Sequence, residues 1–147
     1  MIDLVVDANV AIDWFVASLP GEAYSVPLAN TALDGHIQLH VPTHFSVEVC
    51  GQLLRQHRSK KDVYNAKWLE NSLNALDSMR ISIVAIGLTF KELSDLSKAY
   101  NLSGYDTPYF HLARMLEIPI ASRDGGIISA CKAWHVQRWL PEHAKPA

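Results

Sequence analysis

The chain has 147 residues, of which 49% are apolar and 19% charged, the profile of one compact globular domain. Its formal net charge of −2 excludes the global positive field common in nucleic-acid binders, so any affinity for nucleic acid must come from a local patch. No apolar run approaches the ~20 residues of a membrane span and no secretory apolar segment opens the chain, so a cytoplasmic protein without membrane contact is expected, with Cys50 and Cys131 as buried thiols.

Leu4-Val5-Val6 is a short continuous apolar run of the kind a buried parallel strand shows. A short helix follows, with Val10, Ile12, Trp14 and Phe15 inward, until Leu19-Pro20-Gly21 breaks it. Residues 22–33 read as a second helix that Pro27 bends or interrupts, and Asp34-Gly35 as a turn. Residues 36–41 alternate, with Ile37, Leu39 and Val41 on one face and His36, Gln38 and His40 on the other; this is a strand stopped by Pro42. Thr43 is expected to cap a helix reaching to about Gln56, with Phe45, Val49 and Leu53 as its apolar stripe. The next helix spans 62–79, a strand 81–84, and an amphipathic helix 89–100. Ser103-Gly104-Tyr105-Asp106 fits a capping box at the head of a helix running to about Leu116; alternatively Asp106 is itself the cap and Pro108 sits in the first turn. Residues 118–122 form another apolar strand, 126–133 a short helix and 136–140 a last strand. This order predicts an α/β fold, a three-layer α/β/α sandwich with a mainly parallel central sheet, as one domain over 1–140 with a frayed polar tail at 141–147.

Four carboxylates stand in apolar settings: Asp7 directly after the first strand, Glu48 among Phe45, Val47 and Val49, Asp106 after Ser103-Gly104-Tyr105, and Asp124 after the strand at 118–122. A buried unpaired carboxylate is costly and is normally paired, neutralised or bound to a cation. In a parallel sheet, ligands bind beyond the carboxyl ends of the strands. Asp7 and Asp124 follow strands, while Glu48 and Asp106 lie near the starts of helices that open toward the same edge, so all four can converge. An oxygen-only site suits Mg²⁺ or Mn²⁺ rather than Zn²⁺. Such an ion activates water and neutralises a phosphodiester oxygen, which points to a metal-dependent hydrolase. Taken singly each acid has a plainer role: Asp7 and Asp106 as helix caps, Asp124 as a turn residue, Glu48 as a solvated helix residue.

The chain resembles the PIN-domain nucleases and, within them, the VapC-like toxins of toxin–antitoxin pairs. The resemblance runs from Leu4 to Trp139 and rests on Val5-Val6-Asp7-Ala8-Asn9-Val10-Ala11, on Val41-Pro42 with Glu48 and Leu54-Arg55, on Leu102-Ser103-Gly104-Tyr105-Asp106-Thr107-Pro108-Tyr109, and on Pro119-Ile120-Ala121-Ser122-Arg123-Asp124. It implies a PIN-like fold and an endoribonuclease in which Asp7, Glu48, Asp106 and Asp124 hold the metal. Ser122 would orient a ligand there, and Asn9 would supply an amide where the family usually has Ser or Thr. It also implies an RNA substrate, a homodimer and a cognate antitoxin protein. Gly51 stands where Asn is frequent, and Gly125-Gly126 is expected to loosen the loop after Asp124. Two other classes fit the same residues: a catalytically silent PIN-type module binding RNA or a protein partner, and a phosphohydrolase acting on a small phosphoester.

Arg55, His57, Arg58, Lys60 and Lys61 are the main basic cluster, able either to engage RNA phosphates or to offset a helix dipole while solvated. His36, His40 and His44 read as solvated histidines, because Pro42 breaks any helical alignment among them. The four tryptophans read as core or interface residues.

Overall fold

A computed structural model, which describes residues 1–144, has four strands in one all-parallel sheet. They are β1 (Ile2–Val6), β2 (Ile37–Pro42), β3 (Ser82–Val84) and β4 (Ile120–Ala121), in the order β3-β2-β1-β4. Seven α-helices accompany them among the described residues: α1 (Ala8–Asp13), α2 (Leu19–Leu33), α3 (Phe45–Ser59), α4 (Ala66–Ser78), α5 (Phe90–Tyr100), α6 (Thr107–Leu116) and α7 (Gly125–Trp134). The architecture is α/β and compatible with a three-layer sandwich. Successive strand side chains point to opposite faces, yet Leu4, Val5 and Val6 are all fully buried, so both faces of β1 are covered. Tyr109, Phe110 and Leu112 of α6 are fully buried, and that helix lies against β1 and β2.

The register fixes what meets at the carboxyl edge. Val6 lies opposite Ala121, so the next residues, Asp7 and Ser122, leave neighbouring strands together. Asp106 occupies the cap position of α6 with Pro108 in the first turn, the second of the two expected starts. Thr89 and Glu92 form a reciprocal capping box at α5.

Several boundaries differ from expectation for local reasons. Leu19-Pro20-Gly21 opens a helix instead of breaking one: Ser18 Oγ accepts from Gly21 N at 3.0 Å, and Pro20 lies in the first turn, where its missing N–H has no partner to lose. Pro27 does not split α2, which runs on to Leu33. His44, not Thr43, occupies the cap position of α3, and α4 begins only at Ala66, after Asn65 Oδ1 accepts from Trp68 N.

The expected strand at 136–140 is a single bridge between Ile120 and Arg138. A ladder would continue through Ser122, but its N–H is held by the Tyr24 hydroxyl at 3.1 Å and its C=O by Arg138 Nε at 2.9 Å. Of the tail at 141–147, Pro141–Ala144 is a 3-10 turn lying against α2, not a frayed end, while residues 145–147 fall outside the described residues. Both cysteines are free; Cys131 is buried and Cys50 half-buried. Among the described residues no helix is long and apolar enough to cross a membrane.

Candidate functional site

Asp7 terminates β1 with an extended backbone and occupies the cap position of α1, but its side chain makes no capping bond. Its backbone C=O serves the helix by accepting from Val10 N at 3.1 Å. The carboxylate is 4% exposed, and Oδ2 accepts from Ser122 Oγ at 2.7 Å. Ser122 is itself fully buried, and its Oγ accepts from Asp124 N at 3.0 Å. One hydroxyl thus ties the first and fourth acids together.

Asp124 does cap its helix, Oδ2 accepting from Ile127 N at 2.9 Å. The glycines after it are the first turn of α7, not a slack loop. A Cβ on Gly126 would lie 3.0 Å from Asp124 Oδ2, so this glycine leaves room for the capping carboxylate. Asp106, at the head of α6, makes no side-chain cap; its N–H donates to Ser103 Oγ at 3.1 Å.

Glu48 lies in the first turn of α3, half-buried. Its Oε1 accepts from the Tyr109 hydroxyl at 2.7 Å and stands 3.0 Å from His44 Nε2. That nitrogen also lies 2.9 Å from the Tyr105 carbonyl, which can only accept, so Nε2 carries the hydrogen. Both contacts fall on Oε1, leaving Oε2 without a hydrogen-bond partner among the described residues.

The charges report how near these groups stand. Burial pushes the Asp7 carboxyl up to about 7; the Ser122 hydrogen bond opposes this, and the charges of Asp106 and Asp124 add to it. Asp106 is raised by burial, then by Asp124 and Glu48. Burial also pushes Glu48 up, but the hydrogen bonds from His44 and Tyr109 together outweigh it and hold the group below the usual carboxylate range. His44 is raised, first by its bond to Glu48. Tyr109 is held well above a free phenol by burial, by its bond to Glu48 and by the charges of Glu48, Asp7 and Asp106. Four acids that are distant in sequence therefore share one electrostatic neighbourhood at the carboxyl edge of the sheet. They stop short of a finished cage: among the described residues no three Asp, Glu, His or Cys side chains are grouped as ready-made metal ligands.

The donor chemistry fits a hard divalent cation. All four acids offer oxygen, Glu48 keeps one oxygen unengaged, and Asn9 Oδ1 is buried with no hydrogen-bond partner. Of the six residues singled out from sequence, Asp7, Ser122 and Asp124 form one hydrogen-bonded line; Glu48 and Asp106 couple to it through charge; and Asn9 is the second residue of α1, with its acceptor unsatisfied.

Two participants were not expected. His44 was read as solvated, although its place four residues before Glu48 was a usable helical signal. Tyr109 reaches Glu48 across 61 residues of sequence, and no local pattern announces that contact.

A clasp closes behind Ser122. The Tyr24 hydroxyl, which accepts from Ser122 N, donates to the Trp139 carbonyl at 2.7 Å, and the Arg138 guanidinium lies 4.4 Å over the Tyr24 ring.

No family model and no curated protein matches this sequence. Among solved structures the chain is similar to the crystal structure of PAE2754 from Pyrobaculum aerophilum, with 13% identity and a TM-score of 0.61 over 88% of this chain and 84% of that one. At that identity the likeness is one of fold alone.

Proposed function

We infer that this chain is a Mg²⁺- or Mn²⁺-dependent endoribonuclease of PIN-domain type, acting as the toxin of a toxin–antitoxin pair. The observation that carries the reading is the buried Asp7 carboxylate, 4% exposed, which accepts from the Ser122 hydroxyl and pairs with no cation among the described residues, while Asp106 and Asp124 add like charge beside it. Asp7, Glu48, Asp106 and Asp124 would hold the ion. When bound, it supplies charge neutralisation at a phosphodiester oxygen and activation of water for in-line attack. Ser122 fixes the Asp7 carboxylate by its 2.7 Å bond, and Tyr109 with His44 fixes one oxygen of Glu48, so these side chains hold the acids in place. Burial around Asp7 excludes bulk water from that side of the pocket. A homodimer and a small antitoxin covering the acidic pocket accompany this reading.

The test is cleavage of a defined RNA panel with Mn²⁺, with EDTA, and with Asp7→Asn and Asp106→Asn. Cleavage that requires the metal and falls by at least ~10³-fold in both variants is expected. Wild-type-like cleavage by both variants refutes these roles.

Ala8 and Gly51, at positions where PIN-type nucleases usually carry Ser or Thr and often Asn, favour a second reading, a silent PIN-type module that binds RNA or a protein. Calorimetric titration with Mn²⁺ separates the two: no binding at millimolar concentrations supports the silent module.

A further inference from the structure

The far end of α3 carries exposed Arg55, Arg58, Lys60 and Lys61, none of which has a carboxylate within ion-pairing distance among the described residues. Arg55 and Arg58, with Gly51 and Ser59, line an open concavity of about 390 Å³. Gly51 keeps its floor low, and Ser59 Oγ is turned away onto the Arg55 carbonyl at 2.8 Å. Glu48, Gly51, Arg55 and Arg58 follow one another at spacings of three or four residues, which sets them along one stripe of the helix. Phe45, Val49 and Leu53 occupy the buried stripe, so the arginines face out. At 1.5 Å of rise per residue, Arg55 lies roughly 10 Å and Arg58 roughly 15 Å along the axis from Glu48. Compensation of the helix dipole accounts for cations in the last turn such as Arg58, but not for Arg55 a turn earlier.

We propose that this stripe is a phosphodiester-backbone subsite, in which Arg55 and Arg58 hold phosphates of a single-stranded RNA whose scissile phosphate lies at the carboxylates. The inference rests on the nuclease reading and adds the path of the strand. Guanidinium groups suit it, since they bind phosphate through two parallel N–H bonds. It also answers an electrostatic difficulty: a carboxylate cluster repels RNA, so capture must come from cations beside it.

The test is anisotropy binding of a labelled single-stranded RNA of about a dozen nucleotides, in EDTA, across a KCl series. The proteins are wild type, Arg55→Gln/Arg58→Gln, Arg55→Lys/Arg58→Lys, and Lys91→Gln, whose cation on α5 is paired with Asp95. The glutamine pair is expected to bind about tenfold more weakly and to lower the slope of log affinity against log salt by about 1.4, or about 0.7 per lost phosphate contact. The lysine pair keeps the slope, and Lys91→Gln changes neither quantity. With Mn²⁺, the glutamine pair raises KM for the long RNA at unchanged kcat and leaves a dinucleotide substrate, too short to reach the stripe, unaffected. Unchanged slope and KM in a protein that cleaves RNA overturn the subsite and leave the nuclease reading standing. A lowered Tm with unchanged binding assigns the arginines to the helix dipole and also overturns it. Lost binding in a protein that cleaves no RNA keeps the stripe as an RNA site while the nuclease reading falls.

Discussion

Asp7 and Asp13 stand at the two ends of one short helix, both nearly out of solvent, and the chain treats their charges in opposite ways. Asp13 receives Arg123 through both guanidinium arms, at 2.7 and 2.8 Å, together with the Ser25 hydroxyl at 2.6 Å. Asp7 receives one hydroxyl and faces two more carboxylates. A carboxylate buried for architecture is neutralised from within the chain. One buried without a counter-charge must be neutralised another way, by a proton or, on the nuclease reading, by a bound cation. The two are also linked: Arg123 lies between Ser122 and Asp124, so the structural ion pair anchors the loop that carries both of them.

The most damaging change to the structural side is Arg123→Met, which leaves the Asp13 charge buried and unpaired. A loss of about 3–5 kcal/mol in urea denaturation is expected. A loss near zero would erase the contrast with Asp7.

On the other side, Asp7→Asn should stabilise the metal-free protein. The folded-state value near 7 lies above the unfolded value of about 3.9, so the folded state holds a proton that the unfolded chain has released. Wild-type stability from this group is therefore full below about pH 4 and is lost as pH rises through 7. The variant should gain on the order of 2–4 kcal/mol above pH 7 and nothing near pH 4, as read by thermal melts in EDTA. A gain independent of pH would locate its origin elsewhere than in the buried charge.

Gly21→Ala sharpens the comparison at smaller scale, because a Cβ there would stand 2.5 Å from Asp13 Cγ and 2.6 Å from Ser18 Oγ. It should cost about 1–3 kcal/mol by crowding the ion pair, measured by the same denaturation. Tyr109→Phe should cost about 1 kcal/mol and let the Glu48 carboxyl titrate at higher pH, since a donor that holds it down is gone. An NMR titration of Glu48 that does not move upward would separate Tyr109 from the site.

Much of this was legible in the chain. The run Leu4-Val5-Val6, the alternation through Ile37, Leu39 and Val41, and the short apolar stretch before Ser122 carry the sheet, because burial on one or both faces writes itself into local hydropathy. The four acids were visible because charge in an apolar setting is costly. The partners of those acids were not. Tyr109 meets Glu48, and Arg123 meets Asp13, across 61 and 110 residues, and such pairings leave no periodic trace. Gly21 reads locally as a helix breaker, yet it is needed because Asp13 arrives from another helix. The stretch 136–140 has strand composition but only one bridge, because side chains of Tyr24 and Arg138 take the backbone groups of Ser122 that a ladder requires.

Until Arg138 and Trp139 have been synthesised, the Ser122 carbonyl has no guanidinium to bind and the Tyr24 hydroxyl has no Trp139 carbonyl to receive its proton. Tyr24 precedes Ser122 by 98 residues and Arg138 follows it by 16, so the brace joins an early side chain to a late one. A chain cut between Asp124 and Arg138 would therefore carry every acid without the frame that sets Ser122.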